Sequence, residues 1–377
     1  MPTPLPPNPP LNRDDELDAL LSNADRALGR LDGVCSVLPN PDFFVAMYVR
    51  YEAVLSSQIE GTQSTLEDVL QFEVRGAEYS QPKDVEEVVN YIGAMNHGLK
   101  RLEELPLCLR LIQEIHGKLM DGVRGSHQTP GEFRRSQNWI GPQGSTLATA
   151  SFIPPPVHEM EKALSDLERF LHREEPMPPL ILAGFAHAQF ETIHPFLDGN
   201  GRVGRLLITF LLCHRQVLRR PLLYLSHYLK RHRSLYYERL TAIREKGDWE
   251  GWMKFFLKGV HEVSEDATLT ARKILDIRES GRQLLMQKSS SRSLVHVLFE
   301  HLFQTPIFSV GWVSDKLDCS FATAGKLVRE FERLGFLEET TGGQRYRRYR
   351  FKAYLDLFSE PPVLNDETQS QEHTQSP

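Results

Sequence analysis

His194-Pro195-Phe196-Leu197-Asp198-Gly199-Asn200-Gly201-Arg202-Val203-Gly204-Arg205 sets an imidazole, a carboxylate, a glycine-rich turn and two guanidinium groups ahead of an apolar run, Leu206 to Cys213. Gly199 and Gly201 lack a Cβ, so the backbone between them can take positive φ and turn its N–H groups toward an anion. A helix beginning near Asn200 adds unsatisfied first-turn amides and the positive end of its dipole. Asp198, beside this nest, suits a magnesium ion that also takes phosphate oxygens. Arg202 and Arg205 are neighbours on one helix face, and each can fork onto phosphate. His194 can accept a proton near neutral pH, which makes it the candidate general base for an attacking hydroxyl. His187, on an apolar helix and without an H-E-x-x-H pattern, reads as a satisfied core histidine.

These residues resemble the Fic family signature, HPFx(D/E)GNGRxxR, at every specified position. The resemblance implies transfer of a nucleotide monophosphate, usually AMP from ATP, onto a Ser, Thr or Tyr hydroxyl of a protein. It implies that His194 deprotonates the target, Asp198 positions magnesium on the α- and β-phosphates, and Gly199, Asn200 and Gly201 cradle the phosphates. Arg202 and Arg205 would hold the outer ones, and Phe196 would point into the core and fix the loop. Tyr228 and Tyr237 fall where the family places aromatics near the nucleotide, although a tyrosine on an apolar helix is also ordinary core.

Upstream, Ser56-Ser57-Gln58-Ile59-Glu60-Gly61 ends a helix whose start is marked by Asn40 and Pro41. Ser56 and Glu60 share a face, Phe44, Met47, Tyr48, Tyr51 and Leu55 supply apolar docking, and Gly61 reads as the stop. Ser64-Thr65-Leu66-Glu67 then reads as a capping box. In the Fic family the pattern (S/T)xxxE(G/N) marks an inhibitory helix whose glutamate pairs with the second motif arginine, which here implies Glu60 on Arg205. A carboxylate on that guanidinium occupies the fork that a γ-phosphate needs.

A third match runs through Leu111-Ile112-x-x-Ile115-His116-Gly117, Pro130-Gly131-Glu132-Phe133-Arg134, Asn138-Trp139-Ile140-Gly141 and Phe152-Ile153-Pro154-Pro155-Pro156. Short β-prone stretches around Gly141-Pro142-Gln143-Gly144 predict a hairpin. In the family such a flap holds the target segment by strand pairing.

Helical periodicity covers Phe43 to Glu60, Leu66 to Phe72, Val85 to Leu105, Leu107 to Met120, Val157 to Leu171, Pro179 to Ile193, Arg202 to Cys213, His232 to Lys246 and Glu250 to Ile277. The expected fold is mainly α, a Fic helical core with a β-hairpin flap plus a small α+β winged helix. Expected segments are 1–40 (Pro-rich leader and first helix), 41–110 (helical region with the inhibitory helix), 111–285 (core), 291–358 (winged helix) and 359–377 (disordered tail). Residues 1–12 and 361–377 are expected to be disordered. After a Lys288-Ser289-Ser290-Ser291-Arg292 linker come helices at Leu294 to Phe303 and Val310 to Leu317. A third, capped by Ser320 and stopped by Gly335, turns Ala324, Leu327, Val328, Phe331 and Leu334 inward. Strands Phe336 to Glu339 and Arg345 to Phe351 close it. Lys326, Arg329 and Arg333 would line its outer face, and Arg345, Arg347, Arg348, Arg350 and Lys352 its wing. DNA binding and protein docking, including homodimer formation, stay open for this module.

The 377-residue chain has room for two or three domains, and its net charge of −6 argues against nonspecific nucleic-acid binding by the whole molecule. Four cysteines, Cys35, Cys108, Cys213 and Cys319, lie far apart without a C-x-x-C, so no disulfide framework or zinc site is indicated and a cytoplasmic setting fits. No apolar run is long enough to span a bilayer, and no signal peptide is expected. The expectation is an autoinhibited, magnesium-dependent protein adenylyltransferase using ATP. Removal of AMP from a modified protein, and a DNA-binding regulator whose core senses nucleotide, are the alternatives.

Overall fold

The computed structural model describes residues 1–36, 41–75, 84–125, 127–141, 144–288, 292–343 and 347–358. They divide into two compact units, Met1–Glu279 with Phe303–Thr305, and Ser280–Leu302 with the chain from Pro306 on. Among the described residues no helix is long and apolar enough to cross a membrane.

The first unit is helical. It contains α1 (Asp15–Ser36), α2 (Pro41–Ile59), α3 (Leu66–Arg75), α4 (Val85–Arg101), α5 (Leu109–Leu119), α6 (Val157–Leu171), α7 (Pro179–Ile193), α8 (Asn200–His214), α9 (Ser226–Arg231), α10 (Arg233–Lys246) and most of α11 (Trp249–Lys288). At its centre lies α7, which buries every residue from Leu180 to Ile193, as a helix apolar on all sides must. It packs against α6 and α8, while α2 packs on α4 and α9. Trp252 pins α11 to α7 by donating its indole N–H to the Gly184 carbonyl at 2.9 Å. The spacing of Leu17, Leu21, Ala24, Leu28, Leu31 and Cys35, all buried, explains why α1 is amphipathic and docked.

The end of α2 positions much of the site. Thr62 N–H donates to the Ser57 carbonyl at 3.3 Å and Gly61 N–H to Gln58 at 3.1 Å, with Gly61 at φ +98°. This paired closure is a Schellman stop, as the glycine foreshadowed. The capping box that follows is shifted by one residue from its expected place. Thr65 exchanges bonds with Asp68, Thr65 N–H donating at 2.8 Å and Asp68 N–H returning to Thr65 Oγ1 at 3.2 Å. Ser64 is drawn away instead, its hydroxyl donating to Asp84 Oδ1 at 2.6 Å.

The expected flap hairpin is not formed as paired strands among the described residues. One antiparallel bridge, Ile140 with Phe152, is the only β-pairing between the two limbs among the described residues, supplemented by Gln137 Nε2 donating to the Pro154 carbonyl at 2.8 Å. Pro154, Pro155 and Pro156 carry no N–H to extend the ladder. Pro142 and Gln143 of the expected turn lie outside the described residues. The leader also departs from expectation, because it is tied down. The Thr3 carbonyl accepts from Gln189 Nε2 at 2.8 Å, Asn12 N–H donates to Glu250 Oε1 at 2.8 Å, and Pro7 is buried. The short α9 was not foreseen, and α11 runs eleven residues beyond Ile277.

The second unit comprises α12 (Arg292–Leu302), β1 (Ile307–Ser309), α13 (Val310–Lys316), α14 (Phe321–Arg333), β2 (Leu337–Glu339), β3 (Arg348–Phe351) and α15 (Lys352–Leu355). Its sheet is antiparallel in the order β1-β3-β2, with Ile307 opposite Arg350 and Leu337 opposite Phe351. This is the element order of a winged helix, with β1 an unforeseen third strand. Ser320 caps α14 by accepting from Thr323 N–H at 3.2 Å. Ala324, Leu327, Val328 and Phe331 are buried as expected, whereas Leu334, at the C-cap, is half-buried. Lys326, Arg329 and Arg333 are exposed. On the wing, Glu338 pairs with Arg350 at 2.8 Å and lies 3.6 Å from Lys352, which tempers the expected basic strand. The Asn40 cap, Arg345, the linker 289–291 and the tail 359–377 lie outside the described residues.

Candidate active site

The signature forms the turn between α7 and α8, and its shape is set by residues that never face a substrate. His194 ends α7 in the left-handed region, at φ 50° and ψ 61°. Arg134, almost wholly buried, holds the backbone there: its Nε donates to the His194 carbonyl at 3.0 Å, its Nη2 to Pro155, and its own N–H to the Pro195 carbonyl at 2.8 Å. Phe196 is fully buried and stacks on His116 with centroids 3.7 Å apart and planes 3° from parallel. His116 Nδ1 accepts from Gly131 N–H at 2.8 Å, so its proton sits on Nε2, which faces the Asp198 carbonyl at 3.1 Å. Phe196 is thus packed into the core beneath the turn, and His116 and Arg134, present in the sequence match without a role, contact the same turn.

Asn200 is engaged differently from expectation. Its side chain closes a ring with the Phe196 backbone, accepting from Phe196 N–H and donating to the Phe196 carbonyl, both at 2.8 Å. Only its backbone N–H is left to face an anion. Gly199 caps α8 at φ 77°, which a Cβ would resist. Asp198 Oδ1 accepts from Gly199 N–H at 2.6 Å, and the carboxylate remains 41% exposed.

The two arginines diverge. Arg205 Nε donates to Ser56 Oγ at 2.8 Å, and Nη2 to the Ser56 carbonyl at 2.9 Å and Glu60 Oε1 at 2.7 Å. The structure therefore brings Ser56, Glu60 and Arg205 together, across 145 residues of sequence. A Cβ on Gly201 would collide with Glu60 Oε1, so the Glu60 carboxylate occupies the space over the first turn of α8. Burial pushes the Glu60 carboxyl up, but Arg205, Arg202 and His194 outweigh it and hold it below the ordinary value. Arg202 is instead held by Glu87, Nη1 to Oε2 at 3.1 Å, both side chains under 5% exposed, with Asp198 at 3.8 Å.

His194 Nδ1 is shut away from solvent, which leaves Nε2 as the nitrogen able to meet a substrate. Burial first, then Arg244, depresses its pKa to about 3, so the ring is neutral across the physiological range. His187 is the core residue its surroundings predicted, with Nδ1 2.8 Å from the Gly204 carbonyl and Nε2 2.9 Å from the Tyr236 hydroxyl. Tyr237 lies within electrostatic reach of Glu60 and Arg205. Tyr228 is not brought to the site: it packs on Phe255 and His232 and responds to Glu262 and Arg231.

Comparison with known proteins points to one family. The Fic/DOC family N-terminal model matches residues 19–100 and the Fic/DOC family model residues 106–212, together just over half of the chain. The chain belongs to the Fic/DOC family. Similar proteins include the protein adenylyltransferase Fic of Culex quinquefasciatus, 33% identical over 154 residues, and that of Drosophila grimshawi, 28% identical over 209. These matches take in 40% and 54% of this chain but only 27% and 38% of the relatives. A Fic family protein from Desulfovibrio desulfuricans G20 shares the fold with a TM-score of 0.58 at 20% identity, over 91% of this chain and 97% of that one. A Fic domain containing signaling protein from Bacteroides thetaiotaomicron does so at 0.52 and 18%, over 70% and 97%.

Five buried groups make the stability of this Fic core pH-dependent. Burial holds His116 and His187 at about 4 and His194 at about 3, and raises Glu52 and Glu191 to about 7. Below pH ~6.5 the unfolded chain protonates three imidazoles that the folded one keeps neutral, which favours unfolding as pH falls. Between pH ~4.5 and ~7 the two carboxyls oppose this, because the folded state keeps protons that the unfolded state releases. The imidazoles outweigh the carboxyls near pH ~5, so stability rises gently with pH and levels off near pH ~6.5, where the unfolded imidazoles have lost about half their protons. Melting midpoints should follow this rise, and Glu191→Gln should about double the slope; an unchanged slope would contradict a protonated Glu191.

Proposed function

We propose that this chain is a protein adenylyltransferase that transfers AMP from ATP to a Ser, Thr or Tyr hydroxyl and is held inactive by its own Glu60. The observation that carries the proposal is the Glu60 carboxylate seated over the first turn of α8 and bonded to Arg205. That turn offers amides without intrahelical acceptors and a positive dipole end, which is where an anion settles. A resident carboxylate and a terminal phosphate compete for the same guanidinium and the same space.

With Glu60 displaced, Arg205 holds the outer phosphates and the backbone amides of Asn200 and Gly201 receive the inner ones. His194, neutral and set by Arg134, takes the proton from the target hydroxyl as its oxygen bonds to the α-phosphorus. The bond from that phosphorus to the β-phosphate oxygen breaks, and pyrophosphate leaves. Asp198 is the residue that would hold a magnesium ion, which would add positive charge to the phosphate oxygens; a single half-exposed carboxylate sharing a cation with phosphates suits magnesium. Among the described residues no cluster of three His, Cys, Asp or Glu forms a cage of its own. The same proposal places the protein in the cytoplasm.

Incubation with α-labelled ATP and a lysate tests this. Label should appear on protein with Glu60→Gly and stay at background with the unchanged chain. Equal labelling by both sinks the autoinhibition. A labelled target that loses AMP only when Glu60 is intact would point to the reverse reaction. DNA binding is a second reading, resting on exposed Lys326, Arg329 and Arg333 along α14. A gel shift with duplex DNA that Lys326→Glu/Arg329→Glu abolishes would support it.

A further inference from the structure

Glu52, Ser56 and Glu60 are spaced by four residues and fall on one face of α2. The last two meet Arg205. Glu52, one turn earlier, belongs to no motif, yet it is 4% exposed and has no ion pair among the described residues. A buried carboxylate without a counterion is expensive, so its hydrogen bonds must matter. They cross to two other helices: Glu52 Oε1 accepts from Ser226 Oγ at 2.5 Å, Oε2 from Ser226 N–H at 3.1 Å, and Oε1 from the Tyr91 hydroxyl at 3.3 Å. Ser226 opens α9, and Tyr91 lies in the middle of α4, fully buried. Two polar clusters, Ser226 with Glu52 and Tyr91, and Ser56 with Arg205 and Glu60, therefore lie one helical turn apart along α2.

We propose that Glu52 is the positioning residue of the inhibitory helix: by clamping α2 to α4 and α9 it fixes the rotation and height at which Ser56 and Glu60 meet Arg205. The inference rests on the reading that Glu60 competes with the terminal phosphate. The apolar residues of α2, among them Met47, Tyr48, Val54 and Leu55, keep the helix docked without specifying a register, since such contacts are non-directional. Hydrogen bonds, which hold both distance and angle, supply direction. Loss of the clamp leaves α2 in place but lets its last turn drift, so Glu60 spends less time on Arg205. Inhibition then weakens without any change to a group that touches nucleotide.

The test compares Glu52→Ala and Glu52→Gln, each alone and combined with Glu60→Gly. Initial rates of label transfer, KM for ATP and amide hydrogen exchange over residues 56–62 are measured on the full chain. Glu52→Ala alone should raise transfer about fivefold, the effect of losing one buried hydrogen bond, with a lower KM for ATP and faster exchange across 56–62. Glu52→Gln, which keeps an acceptor for the Ser226 hydroxyl or N–H, should raise transfer less. In the Glu60→Gly background either change should leave the rate within about twofold, because nothing remains to be positioned. Equal loss of rate in both backgrounds would show that Glu52 merely supports the fold, and unchanged exchange at 56–62 would overturn the clamp. Should Glu60→Gly itself release no transfer while Glu52→Ala still speeds that exchange, the autoinhibition reading fails and the clamp stands. If the alanine variant does not fold, Glu52→Gln carries the same comparison.

Discussion

In a Glu60→Gly background, His194→Ala is expected to lower label transfer by about 10²–10⁴-fold, the usual weight of a positioned general base, while ATP affinity changes little. The expectation follows from how the ring is prepared. Burial keeps the His194 ring neutral across the physiological range, the state a proposed base needs. Its backbone sits at φ 50°, a conformation in which histidine and asparagine are tolerated better than alanine, and Arg134 grips the carbonyl at 3.0 Å. His194→Asn is therefore the cleaner variant: it keeps the left-handed cap and removes the base. Both variants should lose transfer, and Asn should retain the higher melting midpoint. Transfer within tenfold of the parent would mean another group takes the proton, and Glu191, three residues earlier with a buried and unpartnered Oε1, would be the first to examine.

What the sequence showed of this site is what lay contiguous in it. The residues proposed as anion-binding turn, base and magnesium holder occupy twelve consecutive positions, so that proposal could be made from residue types and spacing alone. The link from Glu60 to Arg205 spans 145 residues and was available only through the family resemblance. Within the turn, the side chains of Asn200 and Arg202 look as free to bind phosphate as Arg205 does. Only folding shows one tied to the Phe196 backbone and the other to Glu87. Glu87 itself stands beside Glu86 in the first turn of α4, where acidic residues are ordinary dipole partners, yet Glu86 is exposed and Glu87 buried. Tyr228 and Tyr237 are equally plausible aromatics until α11 covers the first. The flap keeps one antiparallel bridge, Ile140 with Phe152, because the three prolines that follow cannot extend a ladder.

The Glu87–Arg202 pair carries the other large expected effect. Glu87→Ala should destabilise the protein by about 3–5 kcal/mol, because it leaves a guanidinium that is 2% exposed without its main counter-charge. For a unit of this size that corresponds to a fall in melting midpoint on the order of 10 °C. Replacing both partners with apolar residues, Glu87→Leu/Arg202→Met, should recover most of the loss, since a buried ion pair often contributes no more than a well-packed hydrophobic one. The double variant also separates the two roles open to Arg202. If Arg202 only braces the loop, ATP with magnesium should stabilise the double variant and the unchanged chain alike once Glu60 is replaced by glycine in both. If Arg202 turns to a phosphate when nucleotide enters, the ligand-induced rise in midpoint should shrink in the double variant and grow in Glu87→Ala, where the freed guanidinium has only the phosphate to pair with.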